Sequence, residues 1–406
     1  MADPTSRPAR TSPPYDLYQR EIFKAGSYGS LPPFSTDPDQ LEHLAKEKLS
    51  ARGWLYASSN AGLSLTHASN RLAFSEYQII PRMLVPTLTR DISTTLFGHS
   101  IPAPICFAPI GVNGIYHPDG ELAVAKVAGE LGLPYCLSTA SSRKLENVAA
   151  ANDAGGTAAG RERGGPRFFQ LYLPHSWELA ESLLRRAWNN GFDVCVMTVD
   201  TDHLAWRHGD LAEANYAFYY GIGNKMGWSD PVFQKYLEEK GIDPATDPQT
   251  AGRAWIDTIW HGKAHSWADL PRVIRLWKDI SGGRPFVLKG IQSAHDALLA
   301  KQHGCDGIIV SNHAGRQVDG AVGSLEVLPE VVDAVGRDMP VLFDSGIRTA
   351  ADVFKALALG ARAVLVGRYV PSLPSCKPVR SMPQQPFSGC CSTLFSTLMT
   401  RISSPC

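Results

Sequence analysis

Eight short apolar runs, strung along the chain from residue 105 to residue 366, constrain the fold of this sequence more than any other feature. They are Ile105–Pro109, Tyr135–Ser138, Phe168–Leu171, Val194–Val199, Phe286–Lys289, Gly307–Ser311, Val341–Asp344 and Ala363–Val366. Each is apolar without polar alternation, the pattern of a strand covered on both faces. Amphipathic segments such as Ser176–Asn189 and Thr349–Leu359 lie between them. Strands that alternate with helices imply parallel βαβ units, and eight such units imply an α/β chain closed as a (β/α)8 barrel of the TIM type. The runner-up, an open doubly wound sheet, usually has a Gly-rich turn after its first strand. Here that turn reads Pro109-Ile110-Gly111-Val112-Asn113-Gly114, a poor dinucleotide fingerprint.

Three regions follow from this reading. Residues 1–103 form an N-terminal helical extension, with a helix over Asp39–Ala51 capped by Asp39, then Tyr56 and the small-residue loop Ala57–Gly62. This region is expected to close the barrel floor and send a loop toward the pocket. Residues 104–370 form the barrel. The connection after its fourth strand is far longer than βα loops usually are, and residues 205–280 within it read as a lid-like insertion. Six of the nine tryptophans lie there: Trp206, Trp228, Trp255, Trp260, Trp267 and Trp277. A surface subdomain or oligomer contact and an active-site lid are both open, and compatible. Residues 371–406 form an atypical tail expected to be disordered.

Charge narrows the function. With 39 basic and 39 acidic side chains the formal net charge is zero, which argues against nucleic acid or an anionic membrane as a partner held by bulk charge. At 44% hydrophobic and 19% charged the composition is that of a soluble globular protein. No run approaches the roughly 18 apolar residues of a membrane span. Met1–Tyr15 has no apolar core of a secretory signal, so a cytoplasmic location is expected. Cys106, Cys136, Cys195 and Cys305 sit in or just before strands and read as reduced core residues. No metal site is expected: His261 and His265 have no Cys or acidic cluster beside them.

In a barrel of this kind, chemistry gathers at the C-terminal ends of the strands. Those ends carry Pro109, Ser138, Gln170 with Tyr172, Thr198 with Asp200, Lys289, Ser311 with His313, Asp344 with Arg348, and Arg368. In Ser311-Asn312-His313-Ala314-Gly315-Arg316-Gln317 a buried strand ends abruptly in a His and an Arg. A histidine can take a proton near neutral pH, and an arginine can hold a carboxylate through two parallel hydrogen bonds. Asp344-Ser345-Gly346-Ile347-Arg348 and Gly367-Arg368 end the seventh and eighth runs, where barrels commonly bind phosphate. Lys289 is compatible with a Schiff-base amine, a phosphate ligand or a fixed positive charge beside a cofactor.

The stretch Ser311–Gln317 resembles the active-site signature of the FMN-dependent 2-hydroxy-acid oxidases and dehydrogenases, with Ala314 where that family often has Gly. Supporting similarities are Ala108-Pro109-Ile110-Gly111, Leu137-Ser138-Thr139, Phe169-Gln170-Leu171-Tyr172, Thr198-Val199-Asp200-Thr201, Leu288-Lys289-Gly290 and Asp344–Arg348. The resemblance covers roughly residues 15–369 and implies FMN across the barrel mouth. Pro109, Ile110 and Gly111 would lie near its ring, with Ser138, Gln170, Thr198 and Ser311 contacting flavin or ribityl, and Tyr172 at the same site. Asp344, Ser345, Gly346, Ile347, Arg348, Gly367 and Arg368 would hold ribityl and phosphate, and Lys289 would stabilise the reduced ring. His313 would remove the substrate hydroxyl proton, supported by Asp200. Tyr56, Arg207 and Arg316 would bind the carboxylate, with Tyr172 near the hydroxyl.

Within that family, the Trp-rich insertion and Tyr18–Pro33 are most similar to lactate 2-monooxygenase. That similarity implies oxidation of a small L-2-hydroxy acid, L-lactate first, by O2, with oxidative decarboxylation to acetate, CO2 and water. The alternative is a simple oxidase or dehydrogenase releasing the 2-oxo acid, with H2O2 when oxygen is the acceptor. The family also implies a homo-tetramer or homo-octamer. The tail departs from the family: where the eighth barrel helix belongs, Tyr369-Val370 runs into a segment with eight Ser, six Pro, four Cys and no acidic residue. A frameshift, a retained intron or a misassembled gene is the simplest explanation. The alternative class is an inactive paralogue. Leu394, Phe395, Leu398, Met399 and Ile402 could form a helical stripe covering part of the barrel.

Overall fold

The chain enters its barrel through a hairpin, β1 (Thr94–Leu96) paired antiparallel with β2 (His99–Ile101). The eight apolar runs then form β3 (Ile105–Phe107), β4 (Tyr135–Ser138), β5 (Arg167–Leu171), β6 (Phe192–Thr198), β7 (Phe286–Ile291), β8 (Gly307–Val310), β9 (Val341–Phe343) and β10 (Ala363–Val366). All neighbours are parallel, and β10 pairs with both β9 and β3, so the sheet closes on itself. These observations come from a computed structural model that describes residues 17–32, 35–86, 91–261 and 264–368. The tail 371–406, its four cysteines and the expected stripe from Leu394 to Ile402 lie outside the described residues.

The lack of polar alternation has its cause in two cores. Inward side chains, among them Cys106, Cys136, Phe168, Val196, Val287, Ile309, Leu342 and Leu365, fill the barrel together with Leu96 and Ile101 of the hairpin. Phe97, at the hairpin turn, meets Phe168 edge-on at 5.9 Å. The hairpin thus covers the barrel interior from the N-terminal side of the strands. Outward strand residues pack against the helices Glu121–Leu131, Leu145–Ala158, Trp177–Asn189, Leu270–Ser281, Ala294–Gln302, Ser324–Val335 and Ala350–Ala358. Cys106, Cys136, Cys195 and Cys305 are buried free thiols.

Two details differ from the sequence reading. The helix expected over Asp39–Ala51 is two helices, Pro38–Lys48 and Ala51–Ser58. The first is capped by Asp37, whose carboxylate accepts from the Asp39 and Gln40 amides, because Pro38 takes the first helical position. Ser50 caps the second, which places Tyr56 on a short rigid helix. In addition, the last helix of residues 205–280, Leu270–Ser281, packs against β7 and the helix Trp177–Asn189 and is the barrel helix following β6. The inserted segment therefore ends before Leu270. It folds as short helices around Trp255, which is fully buried, with Trp260 3% and Trp228 9% exposed. No described helix is long and apolar enough to cross a membrane.

Candidate active site

A cavity of about 830 Å³ lies at the C-terminal ends of the barrel strands. Its floor is Pro109–Gly111, Ser138, Lys289 and the turns Asp344–Arg348 and Gly367–Arg368. The N-terminal extension supplies Tyr56, the insertion supplies Arg207, Tyr216 and Trp260, and the turn after β8 supplies His313 and Arg316. Tyr172 completes the wall, its ring edge-on to Trp260 at 5.0 Å. Gln170, Thr198, Asp200 and Ser311 are not on the cavity surface. They form the layer beneath it, each next to a residue that is.

The His-bearing turn has an unusual backbone. His313 and Ala314 both have φ of 55°, and Gly315 follows at 75°. Three successive left-handed residues are costly outside glycine, and such conformations persist where surrounding bonds enforce them. Here they do. The Asn312 side chain exchanges hydrogen bonds with Asn70 at 2.7 and 2.8 Å, and its Oδ1 accepts from the Gly315 amide. Ser345 Oγ accepts from the Ala314 amide at 3.0 Å and donates to Asp344 Oδ1 at 2.8 Å. This turn aims the imidazole at Asp200, with Nδ1 to Oδ1 at 2.7 Å. Thr201 Oγ1 donates to the same carboxylate oxygen at 2.7 Å.

Electrostatics divides the labour between these groups. Burial alone would raise the Asp200 carboxyl, but His313, Lys289 and the Thr201 hydroxyl outweigh it and hold its pKa down at about 2. Burial lowers His313 below its ordinary 6.5, and the nearby Lys289 and Arg207 charges add to that, against the pull of Asp200. The pair at neutral pH is therefore a carboxylate and a neutral imidazole with Nε2 left over for a ligand. Burial opposes the Lys289 charge, yet Asp344 at 3.1 Å and Asp200 raise its pKa, so it is a fixed cation. Its Nζ also donates to Ser311 Oγ at 2.8 Å.

Three arginines converge on the other side. Arg316 donates to the carbonyls of Ser59 at 2.6 Å and Tyr56 at 2.9 Å, and its guanidinium lies over the Tyr56 ring. Arg207 donates to the Arg316 carbonyl and to Gln317 Oε1. Burial, then the Arg316 charge, lowers Arg207 to about 10 and Arg368 to about 9. Among the described residues neither Arg207 nor Arg316 is within ion-pair distance of an acid. Buried cations without a counter-ion are costly, so this wall is built for an anionic ligand. Arg348 also lines the cavity, with its guanidinium ion-paired to Asp39 at 2.9 Å and Glu42 at 2.5 Å on the helix Pro38–Lys48.

The residues fit FMN on these grounds. Gln170 is fully buried, its Oε1 accepts from Ser138 Oγ, and its Nε2 has no hydrogen-bond partner. An orphaned buried donor beside the cavity-lining Ser138 is a group that a bound ring carbonyl would satisfy. Lys289 offers a charge for an electron-rich ring. The glycine turns and arginines after β9 and β10 offer backbone amides and charge for a phosphate.

Several contributors escaped the sequence reading. Thr201 and Gln317 lie within the motifs named above, and they support Asp200 and Arg207. Asn70 and Asp319 left no signal. Asp319 accepts from the amides of Leu63 at 2.6 Å and Leu65 at 2.7 Å, tying the Ala57–Gly62 loop to the turn after β8.

Known proteins are similar to this chain over most of its length. The pattern of the FMN-dependent dehydrogenase family matches residues 45–372. The FMN-dependent alpha-hydroxy acid dehydrogenase qulF of Penicillium citrinum is 46% identical over 357 residues, covering 88% of this chain and 85% of that protein. An L-lactate oxidase of Lysinibacillus sphaericus is 38% identical over 336 residues, 83% of this chain and 81% of the relative. A crystal structure of mandelate oxidase superposes with a TM-score of 0.73 at 30% identity, covering 91% of this chain and 93% of that one.

Proposed function

The chain belongs to the FMN-dependent dehydrogenase family, an FMN-dependent 2-hydroxy-acid oxidoreductase, and from that premise we propose its substrate, its outcome and the roles of its residues. The substrate is a small L-2-hydroxy acid, L-lactate first, and O2 is the oxidant. One observation carries the residue roles: the His313–Asp200 pair at 2.7 Å stands beside buried arginines, Arg207 and Arg316, that have no acidic partner among the described residues. Arg316 and Arg207, with Tyr56, take the carboxylate. Tyr172 lies against the hydroxyl. His313 Nε2 removes the hydroxyl proton as the C2 hydrogen is lost, and Asp200 stabilises the resulting imidazolium. FMN, when bound, would supply the two-electron acceptor for this oxidation. Gln170, Lys289, Ser138, Thr198 and Ser311 would hold its ring and ribityl side, and Asp344–Arg348, Gly367 and Arg368 would hold its phosphate side.

The outcome depends on how long the 2-oxo acid stays. Trp260 and Tyr216 from the insertion, with Tyr172 after β5, wall one side of the site, and such a wall favours reaction of retained pyruvate with the peroxide formed beside it. Lactate and O2 then give acetate, CO2 and water. A second reading, release of the 2-oxo acid and H2O2, is favoured by Trp206, which lines the cavity yet is 75% exposed, so one side of the mouth is open. Purified FMN-loaded protein turned over on L-lactate distinguishes them. Acetate equal to lactate consumed, with little peroxide, supports the first. Stoichiometric pyruvate and peroxide overturn it in favour of the second. No turnover of any L-2-hydroxy acid overturns both.

A further inference from the structure

The helix Leu65–Glu76 points its first turn into the cavity, and His67 on that turn forms part of the wall. The helix is pressed against the turns after β8 and β9. A Cβ on Gly315 would lie 2.6 Å from the His67 amide nitrogen, and one on Gly346 would lie 2.7 Å from the Asn70 carbonyl oxygen. His67 therefore stands where its helix meets the turns after β8 and β9, with Arg368 after β10 near enough to act on its charge.

The charges around His67 come from every element packed there. Arg368 follows β10, Arg348 follows β9, Arg71 is one turn on along its own helix, and Glu42 faces it from the helix Pro38–Lys48. Asp39 binds both Arg71 and Arg348, and Asp319 is occupied by the amides at the start of the helix. The positive end of the helix dipole adds to the arginines. Among the described residues no hydrogen bond or ion pair is found for the His67 imidazole. Burial first, then Arg368 and Arg71, lowers its pKa from 6.5 to about 4, against Glu42. An imidazole in the wall of a cavity, with no partner among the described residues and kept neutral by burial and by surrounding cations, is shifted toward its protonated form when a dianion offsets those charges.

We propose that His67 is an additional phosphate-binding residue that takes up a proton as FMN binds and donates a charge-assisted hydrogen bond to the phosphate in the complex. This rests on the phosphate lying at the β9 and β10 turns, as proposed above. The proton comes from solvent. It opposes the proton released when a phosphate monoester, whose second ionisation is near pH 6, enters as the dianion. The balance read in solution is the difference between these two terms, so the comparison is between wild type and variant.

The test titrates apoprotein with FMN, riboflavin and inorganic phosphate between pH 5.5 and 8, reading affinity by flavin fluorescence and proton exchange by calorimetry in buffers of different ionisation enthalpy. His67→Leu is expected to weaken FMN by about tenfold at pH 6. It should leave riboflavin unchanged and take up fewer protons per FMN than wild type. His67→Gln keeps a hydrogen-bond donor without titrating, so it should recover part of the affinity and none of the proton uptake. Inorganic phosphate should compete with FMN in wild type and compete less in His67→Leu. Arg368→Leu separates this inference from its premise. If that variant still prefers FMN to riboflavin as strongly as wild type, the phosphate lies elsewhere and the premise fails. If Arg368→Leu loses the preference while both His67 variants match wild type in affinity and proton count, the His67 inference alone is overturned.

Discussion

His313 is a base because of what surrounds it. Its Nδ1 is committed to Asp200, and burial with the Lys289 and Arg207 charges nearby keeps the ring neutral at neutral pH. In the free enzyme kcat/KM should therefore rise with pH through a pKa below 6.5 and then level off, since only the neutral ring can accept the hydroxyl proton. Replacing Asp200 with Asn removes the one group that pulls the His313 pKa upward, so the acid limb should move to still lower pH. The same variant should lose roughly 10²–10⁴ in kcat/KM, the range of a well-placed acid–base catalyst. An acid limb that moves to higher pH in Asp200→Asn would contradict this account. At this scale the sequence was legible where chemistry and strand end coincide: His313, Arg316, Lys289 and Asp200 announce themselves because a charged group rarely ends a buried strand without purpose. Asn70 and Thr201 could not be read. Their function is a hydrogen bond to one particular partner, and for Asn70 that partner, Asn312, is distant in the chain.

At the scale of elements, the strands were readable because coverage on both faces removes the polar alternation that an exposed face would impose. The end of the insertion was not. The helix Leu270–Ser281 has the same Trp-bearing amphipathic pattern as the inserted helices before it, and only its packing on β7 reveals it as part of the barrel. The inserted wall has a consequence of its own. Trp260 is 3% exposed and touches Tyr172 and Phe218, with ring centroids at 5.0 and 5.2 Å. Trp260→Ala should cost about 3–5 kcal/mol of stability, measured by denaturant unfolding, as large buried aromatics do when truncated. It should also raise the fraction of turnovers that release peroxide, because the wall is opened. The turn after β8 makes a sharper demand. Gly315→Ala meets both a φ of 75° and a contact of 2.6 Å with the His67 amide, so the turn or the helix must shift. A folded variant with weakened flavin affinity and little activity is the expected result, and unchanged flavin affinity would show that the turn does not support the site.

The whole molecule carries a zero net charge that conceals a strongly uneven interior. Burial denies Arg207 and Arg368 water, and the neighbouring Arg316 charge further weakens their hold on a proton. Folding without an anion at the cavity therefore costs free energy that the bound state recovers, since the ligand binds the folded chain and not the unfolded one. FMN at about 100 times its Kd should add about 2.7 kcal/mol to the unfolding free energy. Riboflavin at the same multiple of its own Kd adds the same amount, so the informative comparison is at equal concentration, where FMN should raise Tm more. Sulfate or phosphate should raise the Tm of the apoprotein more than chloride at equal ionic strength, because screening alone treats all three alike whereas a cationic cavity favours a dianion. A second, opposite-signed contribution comes from Glu121. It is fully buried, its carboxylate accepts from the Asn113 and Ser142 amides, and burial raises its pKa above 4.5 despite those bonds. The folded chain then holds a proton that the unfolded chain has lost, so stability declines as pH rises from 4.5 through the raised value. Glu121→Gln, which cannot ionise, should abolish that decline while keeping an oxygen for the two amides. If the apoprotein Tm responds to chloride as strongly as to sulfate, and the pH profile of Glu121→Gln overlays that of wild type, the interior charges do not govern the stability of the fold.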